Sequence, residues 1–311
     1  MKKLSLFIHA IIIVLLASSC EESGPYINFT PERSVSDTTY VTTTIPAAQP
    51  TNVLIEDFTG VKCPNCPKAQ QTAKTLADNN LNRVYVMAIH PKGYLNSLTR
   101  PFQQPGDDHT SHYDFRTDEG GQIFDFLGVS QSLPKGAINR TQFGSETAIL
   151  VDEGKWSNYT NTKLLNTSTV NIDTFGTKGV YFSSANTIRF NVKLTYTDNV
   201  TDSQYISIAI IEDGLLDYQE KSNTSTGLTD IIENYEHNHI LRRMVTASTG
   251  EKLNAPCVKG RVFEKAYEYE LKATDTWNRN NISAIVFVHN GSSSNTATSK
   301  NILQVKEYKI N

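Results

Sequence analysis

The chain has 311 residues, of which 38% are hydrophobic, and its 29 basic and 32 acidic residues give a formal net charge of −3. A nearly neutral chain without a prominent basic patch does not suit nucleic acid, so we expect no nucleic-acid partner. Its length allows more than one domain, and its four cysteines are compatible with disulfides if the chain is exported.

The first twenty residues predict export. A basic start at Met1-Lys2-Lys3 precedes a short apolar run and a small-residue stretch that ends at Cys20, which is typical of a cleavable secretory signal over residues 1–19 and not of a membrane span. The stretch resembles the lipobox of bacterial lipoproteins, which implies that Cys20 becomes the lipidated first residue and holds the protein to a membrane. The alternative is an ordinary signal peptide in which Cys20 is incidental.

Composition divides the remainder into three parts. Residues 20–51 are rich in Ser, Thr and Pro with few large apolar side chains, and we predict a flexible tether there. The roughly 260 residues beyond suggest two domains. Their patterns change near residue 168, so we predict domains over 52–167 and 168–311.

The first domain begins with an alternation of strand and helix. Asn52–Phe58 and Arg83–His90 are apolar runs typical of buried strands, and the apolar positions between them predict a helix from Pro64 to Asp78. Strand, helix and strand in this order form parallel sheets, so the predicted class is α/β.

The residues around this helix resemble the thioredoxin fold. Asp57-Phe58 precedes Cys63-Pro64-Asn65-Cys66 by four residues, and Pro134 lies ahead of a later strand-like run in "LGVSQSLPKGAINR". In that fold an acid lies on the strand leading to a CxxC at a helix tip, and a cis-proline loop faces the CxxC. Two departures are Lys62, where an aromatic residue is usual, and Pro67 after the pair.

The cysteine pair suggests redox chemistry, because free amides and the positive end of a helix dipole stabilise a thiolate. Lys62 and Lys68 would act in the same direction. Cys63 is then the nucleophile, Cys66 resolves the mixed disulfide, and Asp57 takes up the proton from Cys66. The protein would be a thiol-disulfide oxidoreductase acting on protein thiols or disulfides, without a cofactor. The alternative is a structural staple, a disulfide that stays oxidised and only stabilises the fold. A zinc site is a third interpretation, but the sequence has no second CxxC to complete the four ligands.

A long polar insertion over residues 91–121 separates the second strand from a short helix at Gln122–Gly128. Loops of this length usually carry binding or shape the rim of a site. Within it, "DDHTSHYD" offers aspartates and histidines as metal ligands, but a solvated acidic loop has the same composition. We therefore assign no metal site.

The second domain has repeated β patterns. Its seven predicted strands are "TVNIDTF", "TIRFNVKLTYT", "QYISIAIIED", "HILRRMVTAS", "VFEKAYEYEL", "SAIVFVHN" and "ILQVKEYKI". This number of partly alternating strands predicts an all-β, immunoglobulin-like sandwich. Cys257, left over once Cys20, Cys63 and Cys66 are assigned, is expected to be a small buried residue.

One block of the second domain resembles a particular family. "NYEHNHILRRMVTASTGEKL" (Asn234–Leu253), together with the CPNC half and Ile138-Asn139-Arg140, is similar to the Omp28-related outer-membrane lipoproteins of Bacteroidetes. The resemblance implies a thioredoxin-like domain, a β-rich domain and an outer-membrane location. The acids after Cys20 are similar to export signals that point to the cell surface.

Three polar residues in this block are candidates for binding. His237, His239 and Arg242 offer a site for an anionic ligand or a contact between the domains. The alternative is structural hydrogen bonding, because alternation along a strand places the two histidines on one face and Arg242 on the other.

Two functions remain open from the sequence. The first is a lipid-anchored envelope protein that performs thiol-disulfide exchange through Cys63 and Cys66. The second is a non-enzymatic binding or adhesion lipoprotein whose disulfide is structural.

Overall fold

The structure is a computed structural model and describes residues 37–103, 107–174, 180–182, 186–291 and 300–310. The predicted signal peptide, the predicted lipidation site Cys20 and the first part of the predicted tether lie outside the described residues. In the described part of the chain, no helix is long and apolar enough to cross a membrane.

The described strands alternate with short helices only in the amino-terminal half. The strands are β1 (Thr38–Val41), β2 (Val53–Phe58), β3 (Val84–Pro91), β4 (Arg116–Thr117), β5 (Lys135–Ile138), β6 (Val170–Thr174), β7 (Val180–Phe182), β8 (Thr187–Tyr196), β9 (Gln204–Glu212), β10 (Leu215–Asn223), β11 (Leu228–His237), β12 (Ile240–Met244), β13 (Glu251–Lys252), β14 (Arg261–Glu270), β15 (Ile282–Asn290) and β16 (Ile302–Lys309). The helices are α1 (Cys66–Asn79), α2 (Asn96–Thr99), α3 (Asp118–Leu127) and α4 (Trp156–Leu164), with 3₁₀ turns at Glu153–Lys155 and Arg279–Asn281.

One mixed sheet joins the two halves of the chain. Among the described residues it has nine strands, in the order β16-β15-β9-β12-β3-β2-β5, with β13 on β9 and β4 on β3. Strands β2 and β3 are parallel, as the strand-helix-strand pattern predicted, and β12 pairs in parallel with β3 through Ile240 and Ala88. The sheet therefore crosses the predicted boundary between residues 167 and 168.

Both faces of this sheet are covered. Helix α3 packs on one face, where Met87 and Ile89 of β3 share a core with Phe287 of β15. On the other face, α1 and α4 cover the amino-terminal strands. A second antiparallel sheet, β1-β14-β8-β6 with β7 on β8, covers the carboxy-terminal strands there. Residues 282–290 of β15 are buried throughout because both faces are covered.

The carboxy-terminal half is rich in strands, as predicted, but an immunoglobulin-like sandwich confined to residues 168–311 is not confirmed. Strands β9, β12, β15 and β16 belong to the mixed sheet with β2 and β3, whereas β6, β8 and β14 belong to the second sheet. The sequence pattern shows which residues are strands but not their neighbours, because pairing is decided by contacts between distant segments.

Two further strand pairs differ from the sequence prediction. Residues 38–41, assigned to the tether, form β1 and pair antiparallel with residues 261–264 of β14. Strands β10 and β11 form a separate hairpin over residues 215–237. Both were missed because their side chains are polar or exposed, so they lack the apolar alternation typical of a strand.

Candidate functional site

The Cys63–Cys66 disulfide lies in the turn that leads into α1. The Cα atoms of Cys63 and Cys66 are 5.4 Å apart, and the helix begins at Cys66, two residues later than predicted. The amide of Cys63 donates to the carbonyl oxygen of Gly60 at 3.1 Å, and the amide of Cys66 donates to that of Cys63 at 3.1 Å. These two amides are therefore already engaged within the turn.

Neither cysteine is accessible in this structure. Cys63 is 1% exposed and Cys66 is 0% exposed. They belong to a buried cluster that includes Phe58, Phe124 and Leu133. A partner thiol or disulfide cannot reach either sulfur unless the surrounding segments move.

The β10–β11 hairpin forms the cover over the cysteine turn. The amide of Glu220 donates to the carbonyl of Val61 and the amide of Ser222 donates to that of Pro64, both at 2.8 Å. The buried Gln219 side chain donates to the carbonyl oxygens of Gly60 and Cys63, at 3.2 and 3.3 Å. The outer edge of β10 thus pairs with the backbone on both sides of Cys63.

The polar insertion closes a second side of the turn. The amide of Lys62 donates to the carbonyl oxygen of Leu98 at 2.9 Å, and its ammonium group lies 2.7 Å from Asp107. Gly60 lies so close to the Leu98 carbonyl that no β-carbon would fit there. The insertion in turn contacts the hairpin, because the buried Asp217 carboxylate accepts a hydrogen bond from the Tyr113 amide at 2.9 Å.

The two lysines beside the cysteines are paired with acids. Lys62 contacts Asp107, and Lys68 lies 2.9 Å from Glu153 on a side chain that is 79% exposed. Each positive charge is therefore offset by a carboxylate, which weakens the thiolate stabilisation that the sequence suggested.

Asp57 is buried without a hydrogen-bond partner. Its side chain is 0% exposed, and neither carboxyl oxygen has a partner among the residues that the structure describes. Burial disfavours the charged form and raises the pKa of Asp57 to about 8. The Tyr235 hydroxyl donates to Gln70 of α1 at 2.5 Å. Burial, and to a smaller extent the negative charge of Asp57, raise the pKa of Tyr235 to about 12. Asp57 is consequently mostly protonated near neutral pH.

Pro134 follows a cis peptide bond at Leu133 and directly precedes β5. Strand β5 pairs antiparallel with β2, with Gly136 opposite Asp57. Leu133 belongs to the same buried cluster as Cys63 and Cys66. The residues that carry the thioredoxin resemblance are thus packed into one region.

The candidate residues His237, His239 and Arg242 do not form one site. His237 is buried, and its ring nitrogens have no hydrogen-bond partner in the described part of the chain. Burial lowers the pKa of His237 to about 4 despite the nearby Asp217. His239 lies in the turn between β11 and β12 at a positive φ of 58°, so the predicted alternation breaks there. It pairs with Asp213 at 3.0 Å, whereas Arg242 pairs with Glu212 at 3.2 Å.

Cys257 is buried, as predicted, and its sulfur donates to the Ala255 carbonyl at 3.6 Å. Burial raises the pKa of the Cys257 thiol, which makes it a poor nucleophile.

Sequence reasoning missed the side chains that cover the site. Gln219 and Asp217 lie in a segment of mixed polar composition, whereas Tyr235 falls within the block that carries the family resemblance. No spacing rule connects residues near 220 with the CxxC, because their contact depends on the path of the hairpin.

Together, these features define a β-rich protein with a mixed central sheet, a covered disulfide and a buried carboxyl. The family model "Outer membrane protein Omp28" matches residues 125–311, which is more than half of the chain. The chain therefore belongs to the Omp28 family, as its sequence resemblance indicated, and is located at the outer membrane.

The chain is also similar to several solved structures. HBP35 of Porphyromonas gingivalis is similar with a TM-score of 0.60 and 17% identity, over 85% of this chain and 77% of that one. A domain of the outer membrane lipoprotein Omp28 from Porphyromonas gingivalis has a TM-score of 0.29 and 17% identity, over 46% of this chain and 89% of that one. A protein of Agrobacterium tumefaciens has a TM-score of 0.45 and 10% identity, over 84% of this chain and 96% of that one. A search of curated proteins found no match.

Proposed function

We propose that this chain is a lipid-anchored outer-membrane binding protein in which the Cys63–Cys66 disulfide is a structural staple. The observation that carries this proposal is the burial of Cys63, which is 1% exposed beneath the β10–β11 hairpin. A catalytic disulfide must meet another sulfur in line with its own S–S bond, and the cover excludes such an approach. Family membership supports the membrane location.

The same proposal assigns different roles to the two predicted segments. Residues 52–167 are the thioredoxin-like segment that holds the disulfide, and residues 168–311 supply the hairpin cover and the second sheet. Cys20 would carry the lipid and residues 20–36 would link it to residues 37–311. Replacing Cys20 with Ser should release the protein from membranes and abolish lipid labelling, whereas Cys257→Ser should change neither.

The staple role is tested by the reduction potential of the Cys63–Cys66 couple. A structural disulfide should have a potential below about −300 mV, so that glutathione leaves it oxidised. Acid trapping and alkylation of the folded chain, followed by mass spectrometry, measures the reduced fraction at each potential. A couple that titrates near about −200 mV would contradict the proposal.

A second function, thiol-disulfide exchange, is favoured by the buried Asp57 carboxyl. In this reaction a partner thiolate attacks the Cys63 sulfur, the bond to Cys66 breaks, and Asp57 supplies a proton to the leaving Cys66 sulfur. A second partner thiol then releases Cys63 and completes oxidation of the partner. This function requires the hairpin to open, and Pro134 would lie in the loop that receives the substrate.

An insulin reduction assay with dithiothreitol as the electron donor separates the two functions. It runs the exchange in the opposite direction: dithiothreitol reduces the pair, the Cys63 thiolate attacks an insulin disulfide, and Cys66 then resolves the mixed disulfide. The wild-type chain should show no more activity than Cys63→Ser if the disulfide is a staple. Activity in the wild type that is lost in Cys63→Ser, and reduced in Asp57→Asn, would establish exchange instead.

A further inference from the structure

A cavity of about 690 Å³ lies between α1, β3 and the end of β11. Its volume falls within the range of small-molecule sites, about 300–1,000 Å³. The buried part of its wall includes Asp57 and the apolar side chains of Val84, Val86 and Ala88. Its wall thus combines an apolar surface with one buried ionisable group.

The cavity wall is acidic. Among the described residues that line it, five carry a carboxyl group and one is a lysine; the carboxyl groups belong to Asp57, Asp78, Asp213, Glu236 and Glu307. The lysine, Lys74, is bound to Asp78 at 2.6 Å. A cationic molecule is therefore favoured over an anionic one.

Four of these carboxyl groups already have partners within the protein. Asp213 pairs with His239 at 3.0 Å and with Lys309 at 3.2 Å, and Lys309 also lies 3.6 Å from Glu307. Glu236 accepts a hydrogen bond from Asn238 at 3.1 Å. Asp57 differs from them, because its two oxygens are buried and have no partner among the described residues.

From this geometry we propose that the cavity binds a small organic cation with an apolar body, and that Asp57 accepts its ammonium group once the side chains that cover the carboxyl move aside. The apolar body would pack on Val84, Val86 and Ala88 of β3. Such a ligand supplies both the hydrogen-bond donor and the opposite charge that a buried carboxylate needs. The proposal rests on the proposed binding function and gives it a ligand class, but it does not depend on the redox state of the disulfide.

The experiment compares 2-phenylethylamine with its neutral analogue 2-phenylethanol. Both are titrated into the oxidised mature chain by calorimetry at about pH 8.5, where the Asp57 carboxyl is ionised and the amine is still protonated. We expect the amine to bind with a dissociation constant of about 1 mM or below and the alcohol to bind at least tenfold more weakly, as a charge-assisted hydrogen bond requires.

Two variants test the site by independent routes. Asp57→Asn removes the charge with little change in shape, and Ala77→Phe fills the cavity from α1 without changing charge. Each should weaken amine binding about tenfold or more. Glu270→Gln, an exposed residue of β14 outside the cavity, is the control for charge and should bind like the wild type.

Three results would overturn the proposal. They are no binding of the amine at about 20 mM, equal binding of the amine and the alcohol, and unchanged amine binding in both Asp57→Asn and Ala77→Phe. A chain that fails these tests while Cys63 resists reduction leaves the staple proposal intact. If the chain passes these tests and its disulfide exchanges readily, the ligand proposal stands and the staple proposal is wrong.

Discussion

Among single residues, Arg140 and Glu56 form a fully buried ion pair. The Arg140 side chain donates to both Glu56 oxygens, at 2.9 and 2.7 Å, and its guanidinium carbon lies 4.9 Å from the centre of the Phe287 ring. The preceding Asn139, at a positive φ of 46°, accepts a hydrogen bond from the Leu54 amide and donates to the Asn52 carbonyl. The Ile138-Asn139-Arg140 segment is thus part of the sheet's internal framework.

Replacing Arg140 with Met should destabilise the protein by about 3–5 kcal/mol, because Glu56 would remain buried without its counter-ion. Denaturant unfolding measures this loss as a lower midpoint. The double variant Glu56→Leu with Arg140→Met should recover much of it, since no buried charge is left. A single variant as stable as the wild type would show that the ion pair contributes little.

Asp57 should make stability depend on pH. Its folded-state pKa of about 8 lies above its ordinary value of 3.8, so the folded chain keeps a proton that the unfolded chain loses between these values. The contribution of Asp57 to the free energy of unfolding is therefore fully present below about pH 4. It is lost as the pH rises to about 8, at up to about 1.4 kcal/mol per pH unit.

Asp57→Asn should remove this pH dependence. We expect the variant to be at least about 2 kcal/mol more stable than the wild type at pH 8 and nearly equal to it at pH 4. Unfolding by urea across this pH range provides the comparison. Parallel curves for the two proteins would mean that Asp57 does not hold a proton in the fold.

At the level of secondary-structure elements, the β10–β11 hairpin decides whether the disulfide is accessible. It packs against the cysteine turn through backbone amides on β10, and its Tyr235 on β11 contacts Gln70 of α1. Much of the rest of β11 is exposed. The hairpin is thus held mainly by its contacts with the CxxC turn, the insertion and α1, and its opening is the motion most relevant to redox chemistry.

Gln219→Ala should speed reduction of the disulfide by dithiothreitol about tenfold. The substitution removes the two hydrogen bonds from the Gln219 side chain to the Gly60 and Cys63 carbonyls. Each hydrogen bond of this kind contributes about 0.5–1.5 kcal/mol to holding the hairpin closed. Lys221→Ala, an exposed residue on the same strand, is the matched control and should react like the wild type. Equal rates in all three proteins would show that hairpin opening does not limit the reaction.

At the scale of the whole molecule, the mixed sheet makes the two predicted segments interdependent. Strand β3 lies between β2 of the first segment and β12 of the second. The core on the α3 face combines Leu54 and Met87 with Ile285 and Phe287. The proposed division at residues 167 and 168 therefore separates two segments that share one core.

We expect neither 52–167 nor 168–311 to fold stably when expressed alone. Each fragment would expose an edge strand and one side of the shared core, which favours aggregation. Circular dichroism and thermal melting of the fragments, compared with the 37–311 chain, test this expectation. A fragment with a cooperative transition near that of the full chain would establish an independent domain.

The sequence predicted local structure well where apolar periodicity was strong. The strands at Val53–Phe58 and Val84–Pro91 and the helix from Cys66 to Asn79 lie within a few residues of their predicted bounds. The two strands are buried over their whole length, so their apolar residues had to be consecutive. The β10–β11 hairpin has no such constraint, and its pattern therefore gave no signal.

The sequence by itself determined the membership of the family, the position of the cysteine pair at a helix start and the β-rich character of the carboxy-terminal half. Only the tertiary structure decided that Cys63 is covered and that strands from both halves form one sheet. It also decided that Asp57 lines a cavity and has no hydrogen-bond partner among the residues that the structure describes. The physical reason is that residue type and spacing constrain local conformation and burial, whereas accessibility and strand order depend on contacts between segments more than a hundred residues apart.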